Sequence, residues 1–289
     1  MTSPTREASR KPGTHRENVL TVRVAGQPII VAGLSRRLFE HLSAILRPFR
    51  EPLSPVEDVL CFFVRRGMSQ RGERQWTITR DDGTWVGAYS DPQVLLTQLE
   101  WHVIAAGLSA STRHAVFHAA ALARDDATLM LIGASGAGKS TLTLGLLQRG
   151  WQPFGDDVLL VEAETLALAS FPRCFRAEGA VTRQLAASPL VEILRGVTTF
   201  ARPLAWAPRG LRPTAFACVS RDPAQPALLS SLSQAEMAGM LLEAAIGNQM
   251  PRSGVARVAA HMVAGAHGCR RLNNGDLEQS LDLLESLAK

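Results

Sequence analysis

The stretch Gly133-Ala134-Ser135-Gly136-Ala137-Gly138-Lys139-Ser140-Thr141, directly behind the apolar run Leu129-Met130-Leu131-Ile132, decides the reading of this chain. It fits G-x-x-x-x-G-K-[ST], a loop whose backbone N–H groups cradle nucleotide phosphates, whose lysine reaches the β- and γ-phosphates and whose hydroxyl residue ligates Mg²⁺. A short apolar run before the loop predicts a buried strand, and the segment Gly138 to Gln148 predicts a helix closed by Arg149-Gly150. Strand, loop and helix stand in the order the motif needs. The glycines at 133, 136 and 138 let the backbone approach a polyphosphate, Ser135 and Ala137 keep side chains small, and the helix N-terminus favours an anion. The competing reading is a glycine-rich turn carrying an exposed lysine.

Working outward, Asp156 and Asp157 follow Lys139 by seventeen and eighteen positions, where a helix leading away and a strand leading back would return the chain beside the phosphates. Paired carboxylates there can hold Mg²⁺ and take a proton from an attacking hydroxyl. The plainer alternative is a loop aspartate closing a turn. His118 lies within the apolar run Val116 to Leu122. A lone histidine in a strand is more often a satisfied core residue than a catalyst, but a strand beside the one feeding the loop would aim it at the γ-phosphate.

The chain has 289 residues, of which 46% are hydrophobic and 20% charged, enough apolar content for two unequal domains. The expected division is a disordered tail over 1–17, an α+β domain over 18–90 and a nucleotide-binding domain over 91–289. Cys61, Cys174, Cys218 and Cys269 stand far apart with no C-x-x-C pair, which argues against a disulfide framework or metal site and fits buried thiols in a reducing cytoplasm. Neither a signal-peptide pattern nor a run of about 20 apolar residues occurs, so no membrane partner is expected. A net charge of +5 could suit a nucleic acid. The arginines are scattered without interleaved aromatics, however, and a chain that takes up ATP needs positive potential anyway; no nucleic-acid partner is expected.

Local patterns fill in the frame. Leu20 to Val24 and Ile29 to Val31 predict a hairpin around Ala25-Gly26-Gln27, followed by a helix over Arg36 to Leu46 and a strand over Val59 to Val64. Trp76 to Thr79 and Trp85 to Ala88 predict a second hairpin around an Asp-Gly turn. Ser90-Asp91-Pro92 opens a long helix leading into the nucleotide domain. Val116 to Leu122 and Thr128 to Ile132 predict strands joined by a turn, and Trp151 to Phe154 and Val158 to Val161 bracket the aspartate pair. Phe216 to Val219 predicts a strand, Ser233 to Ile246 a helix with a Ser233/Glu236 capping box, and Gly275-Asp276 the start of a final helix reaching Leu287. Between Phe171 and Leu211 the pattern breaks up. Arg221, Arg173 and Arg176 are cations that could reach a phosphate or simply lie on the surface.

Taken in order, His118, Gly133 to Thr141, Leu146-Leu147-Gln148-Arg149-Gly150 and Phe154-Gly155-Asp156-Asp157-Val158 resemble the HPr kinase/phosphorylase family. These are bacterial serine protein kinases whose catalytic domain is related to phosphoenolpyruvate carboxykinase. The likeness is greatest to the HPr-kinase-related kinases that share the pattern around His-Ala-Ala and are associated with peptide-modification genes. It is strongest over about residues 91 to 160 and weak before 90. The resemblance implies an α/β fold, with a phosphoenolpyruvate-carboxykinase/HPr-kinase-like P-loop domain and a smaller N-terminal α+β domain. It implies ATP and Mg²⁺ as cofactors, bound over Gly133, Ala134, Ser135, Gly136, Ala137, Gly138, Lys139, Ser140 and Thr141. Lys139 would meet the phosphates, Ser140 and Asp156 the metal, and Asp157 or Asp156 would be the general base, with Asp157 preferred and His118 in support.

Two features depart from the family pattern. Ala119 stands where glycine usually follows the histidine, and Glu192-Ile193-Leu194-Arg195-Gly196 carries one residue more than the Glu-x-Arg-Gly element tied to phosphorylase activity. A cytoplasmic kinase that phosphorylates a serine of a small protein or peptide is therefore expected. The alternatives are a small-molecule kinase and a nucleotide-binding scaffold, and homo-oligomerisation stays open.

Overall fold

The computed structural model describes residues 18–52, 58–176, 188–196, 199–222 and 224–289, and the tail expected over 1–17 lies outside them. Alternating burial builds the first sheet. Strands β1 (Asn18–Val24) and β2 (Gln27–Leu34) form an antiparallel hairpin, helix α1 (Arg36–Ile45) crosses over, and β3 (Leu60–Met68) pairs parallel to β2. Strands β4 (Arg74–Arg80) and β5 (Trp85–Tyr89) complete a five-stranded sheet in the order β1-β2-β3-β4-β5. Helix α2 (Pro92–Ser109) begins where the Asp91 carboxylate accepts from the Gln93 N–H, with Pro92 in the first turn. Although the sequence groups it with residues 91–289, α2 buries Leu95, Leu99 and Val103 in one core with Val22, Val31 and Ile78 of this sheet. Short α1 cannot cover the sheet alone, and α2 supplies the remaining apolar surface.

Beyond α2 the chain is mixed α/β. Strands β6 (His114–Phe117), β7 (Ala120–Arg124) and β8 (Ala127–Ile132) lead to helix α3 (Lys139–Gln148), then to β9 (Gln152–Gly155), β10 (Leu159–Glu162), β11 (Leu168–Ala169), β12 (Phe175–Arg176), β13 (Val191–Arg195), β14 (Thr199–Pro203), β15 (Ala215–Ser220) and β16 (Leu228–Ser231). Helices α4 (Gln234–Glu243) and α5 (Arg252–Ala264), strand β17 (Gly268–Asn273) and helix α6 (Leu277–Leu287) finish the chain. The principal sheet has six strands in the order β16-β17-β15-β8-β7-β9, with β8, β15 and β17 mutually parallel. Met130 and Ile132 of β8 pack with Leu241 of α4 and Val258 of α5, while Leu129 and Leu131 pack with Leu142 of α3 and Leu284 of α6. The sheet thus lies between two helix layers, and its central strand is apolar on both faces as such burial demands.

Two sequence expectations change here. The run Val116 to Leu122 is not one strand: β6 belongs to a three-stranded sheet, β11-β10-β6, and β7 to the six-stranded one. His118 sits at the break, its backbone N–H donating to the Ala244 carbonyl at 2.7 Å rather than to a ladder. The helix expected to reach Ile246 stops at Glu243, because Ala245 bridges to Phe117 and Ile246 donates to the Val116 carbonyl. Finally, α5, β16 and β17 carry no pattern recognised in the sequence. Among the described residues no helix is long and apolar enough to cross a membrane.

The Arg-Gly pair that closes α3 has a structural task. Arg149 bonds Glu278, Asp282 and Glu285 of α6, and Glu285 also accepts from Arg124 and, at 3.0 Å, from the indole N–H of buried Trp151. The Arg124 guanidinium lies 4.8 Å over the Trp151 ring. This network locks α6 against α3 and β7. Glu285→Ala strands a buried indole donor and takes the carboxylate from Arg124, while Arg149 keeps Glu278 and Asp282, so urea unfolding should show a loss of about 1–3 kcal/mol. Glu278→Ala, at an exposed partner of the same arginine, should leave the unfolding midpoint nearly unmoved.

Candidate active site

The C-terminal ends of the parallel strands of the six-stranded sheet face one edge, the usual place for a ligand in such sheets. The glycine loop leaves β8 at Gly133, whose φ is +149°. A Cβ there would stand 2.2 Å from the Val219 carbonyl of β15, so only glycine lets the loop depart against its neighbouring strand. At the other end, Gly138 (φ +101°) caps α3, and a Cβ would fall 2.2 Å from Nδ2 of Asn274. That amide, just past β17, donates to the Ala137 carbonyl at 3.1 Å and braces the loop. Residues 134–136 form its exposed tip.

Lys139 is not an exposed turn lysine: it is only 5% accessible. Its Nζ donates to the carbonyls of Gly133 at 2.8 Å and Ala134 at 3.2 Å, and lies 3.4 Å from His118 Nε2. His118 Nδ1 is 3.1 Å from the Asp157 carbonyl. A carbonyl only accepts, so Nδ1 carries the proton of the neutral ring, and the Nε2 lone pair faces the lysine. His118, Lys139 and the aspartate loop are therefore brought together.

The two aspartates have different surroundings. Asp156 is buried, and its Oδ1 has no hydrogen-bond partner. Burial first, and then the neighbouring Asp157 charge, push its carboxyl up to about 7, against the opposing pull of a Ser140 hydrogen bond and the charges of Lys139 and Arg173. Asp157 keeps a side chain 45% accessible and takes the left-handed backbone, φ +65°, rarely adopted outside glycine, asparagine and aspartate. Its Oδ2 lies 4.0 Å from Arg173 Nη1. Arg173 in turn is held by buried Glu100 of α2 through Nε at 2.7 Å and Nη2 at 2.9 Å.

Of the other cations singled out in the sequence, Arg176 is exposed at the end of β12, and Arg221 is exposed beyond β15 on the edge that carries the loop. Glu192 of the displaced Glu-x-x-Arg-Gly element is engaged by Arg202 across the β13–β14 ladder. No local pattern in the sequence marks Asn274 or Glu100, whose partners Ala137 and Arg173 lie far along the chain.

A donor set of this kind suits a small hard cation shared with a polyphosphate. Among the described residues no three His, Cys, Asp or Glu side chains gather into a cage. Mg²⁺ needs none, since it is commonly held by one or two protein oxygens with waters and substrate phosphates. The unpartnered Asp156 Oδ1 and the neighbouring Ser140 hydroxyl fit that demand, and the glycine positions leave room for backbone N–H groups to meet an anion. No protein-family model matches the chain, and no curated protein matches it.

The raised Asp156 carboxyl links stability to pH. An unfolded aspartate ionises near 4, so between about 4 and 7 the folded protein keeps a proton that the unfolded chain has released. This contribution is whole below pH 4 and is lost as the pH climbs through 7. Asp156→Asn removes it, so the stability of wild type relative to this variant should fall by about 2–4 kcal/mol between pH 4 and pH 8 in urea titrations. A difference that does not change with pH would mean that Asp156 ionises like an exposed aspartate.

Proposed function

We propose that this chain is an ATP- and Mg²⁺-dependent kinase that transfers the γ-phosphoryl group to a hydroxyl, a serine of a small protein or peptide, on an HPr-kinase-like P-loop domain. The observation that carries the reading is the convergence, at one sheet edge, of a glycine loop with a buried lysine, a buried carboxyl lacking a partner and a second, accessible carboxylate. A buried ammonium held mainly by carbonyl and imidazole acceptors is suited to an incoming anion. The order of motifs that resembles the HPr kinase family supports the same conclusion.

The two aspartates divide the work by environment. Asp156, buried beside Ser140, would hold the metal, which when bound would neutralise charge on the phosphates. Asp157, open to solvent, is the group an acceptor can reach, and it takes the proton as the acceptor oxygen bonds to the γ-phosphorus and the bond to the β-phosphate oxygen breaks, releasing ADP. His118 holds the Asp157 carbonyl through Nδ1–H, and its Nε2 offers Lys139 a resting acceptor. Positioning and charge stabilisation supply most of the acceleration, as is usual for phosphoryl transfer. Acceptors small enough to be metabolites suit the same chemistry, but the 45% accessibility of Asp157 favours an open, peptide-sized approach.

Radiolabelled ATP with candidate proteins and peptides tests the reading. Asp157→Asn fits the left-handed backbone equally well and should lower transfer about 10²–10⁴-fold with nucleotide affinity nearly intact. Lys139→Met should weaken ATP binding about tenfold or more through the loss of a charged donor. Undiminished transfer by the Asp156→Asn/Asp157→Asn double variant would remove both aspartates from the mechanism, and ATP binding with no transfer by wild type to any acceptor would sink the kinase and leave a nucleotide-binding scaffold.

A further inference from the structure

We propose that Arg173 is a positioning residue for the Asp157 carboxylate, oriented by Glu100, so that helix α2 of the N-terminal unit is part of the working site. The proposal rests on the reading of Asp157 as the base, although its geometric half can be tested apart from it. Glu100 is fully buried on an otherwise apolar helix face. Its two oxygens take Nε and Nη2 of Arg173, which are one edge of the guanidinium, and this fixes the plane of the group. The remaining nitrogen, Nη1, is directed to Asp157 and stands 4.0 Å from its Oδ2. That separation is too long for a hydrogen bond. The cation therefore flanks the carboxylate electrostatically without taking up the lone pairs a proton transfer needs.

The surroundings hold Arg173 rigidly. The Phe171 N–H donates to the Phe154 carbonyl and the Arg173 N–H to the Phe171 carbonyl, each at 2.7 Å, which pins this segment beside β9 just ahead of the aspartate pair. Trp101, next to Glu100 on α2, lies under the guanidinium at 5.5 Å. Asp157 is thus held from two sides, its backbone by His118 and its side chain by the field of Arg173. A buried ion pair is weak evidence for stability, since matched apolar residues often serve the fold as well or better. Such a replacement separates a structural role from a positioning one.

The test uses the full chain. Arg173→Gln strands the Glu100 charge and can unfold the protein, so it is paired with the apolar replacement Glu100→Leu/Arg173→Met. The apolar pair should melt no lower than wild type yet transfer phosphoryl groups about 10–100-fold more slowly in kcat, with the KM for ATP within about twofold. Arg173→Lys should recover part of the rate. In an Asp157→Asn background the apolar pair should cost nothing further, because the group it positions is gone. Independently of any transfer, the ¹³C resonance of the Asp157 carboxyl, assigned by its disappearance in Asp157→Asn, should move in the apolar pair. A stable apolar pair with wild-type kcat and an unmoved Asp157 resonance would overturn the proposal. If wild type transfers to no acceptor while that resonance still moves, the kinase reading fails and the positioning stands.

Discussion

Two chain segments cross from one sheet to another at the same level, and a hydrogen bond from His118 Nδ1–H to the Asp157 carbonyl ties the crossings together. One segment passes from β6 to β7 through His118 and Ala119, and the other from β9 to β10 through residues 156–158. Because β6 pairs with β10 and β7 with β9, both antiparallel, neither segment can change sheet unless its partner does so beside it. The forced double break releases two stretches of backbone from ladder bonding next to the mouth of the glycine loop. That freedom lets Asp157 take a left-handed backbone and lets Asp156 turn inward.

Charge balance at this edge follows from the same geometry. An ammonium and a carboxyl, both buried, stand close enough for Lys139 to influence Asp156, yet the lysine bonds carbonyls and an imidazole, and one carboxyl oxygen bonds nothing. Buried groups without full partners are costly and persist where the surrounding fold imposes them. Here the imposing elements are β8 against β15, which sets the exit of the loop, and Asn274 beyond β17, which braces its far end. A phosphate group would meet the lysine and a cation the carboxyl, so the proposed substrate and metal would relieve the strain that the protein alone leaves in place.

The N-terminal unit is continuous with this arrangement. Its core includes Val116, Val158 and Phe171 as well as the five-stranded sheet, and α2 sends Glu100 to Arg173. Packing of α2 therefore bears on the position of a charge beside Asp157, although residues 18–90 share no motif with the rest of the chain.

Much of this was legible along the sequence because the determining interactions are local. The glycine loop with its strand and helix, the Asp91-Pro92 start of α2, the Ser233/Glu236 box and the aspartate pair each depend on neighbours within a few positions, and residue type and spacing suffice to mark them. The break at His118 was hidden because an apolar run reads the same whether it serves one sheet or two. Strand β17, helix α5, Asn274 and Glu100 were hidden because their partners lie far away in the chain, Asn274 by 137 positions and Glu100 by 73. The sequence by itself determined which groups could do chemistry and the local elements that carry them. Only the tertiary structure decided that Asp156 is buried and Asp157 open, that His118 faces Lys139, and that Arg173 stands between α2 and the aspartates, since burial and charge proximity arise from sheets closing on one another.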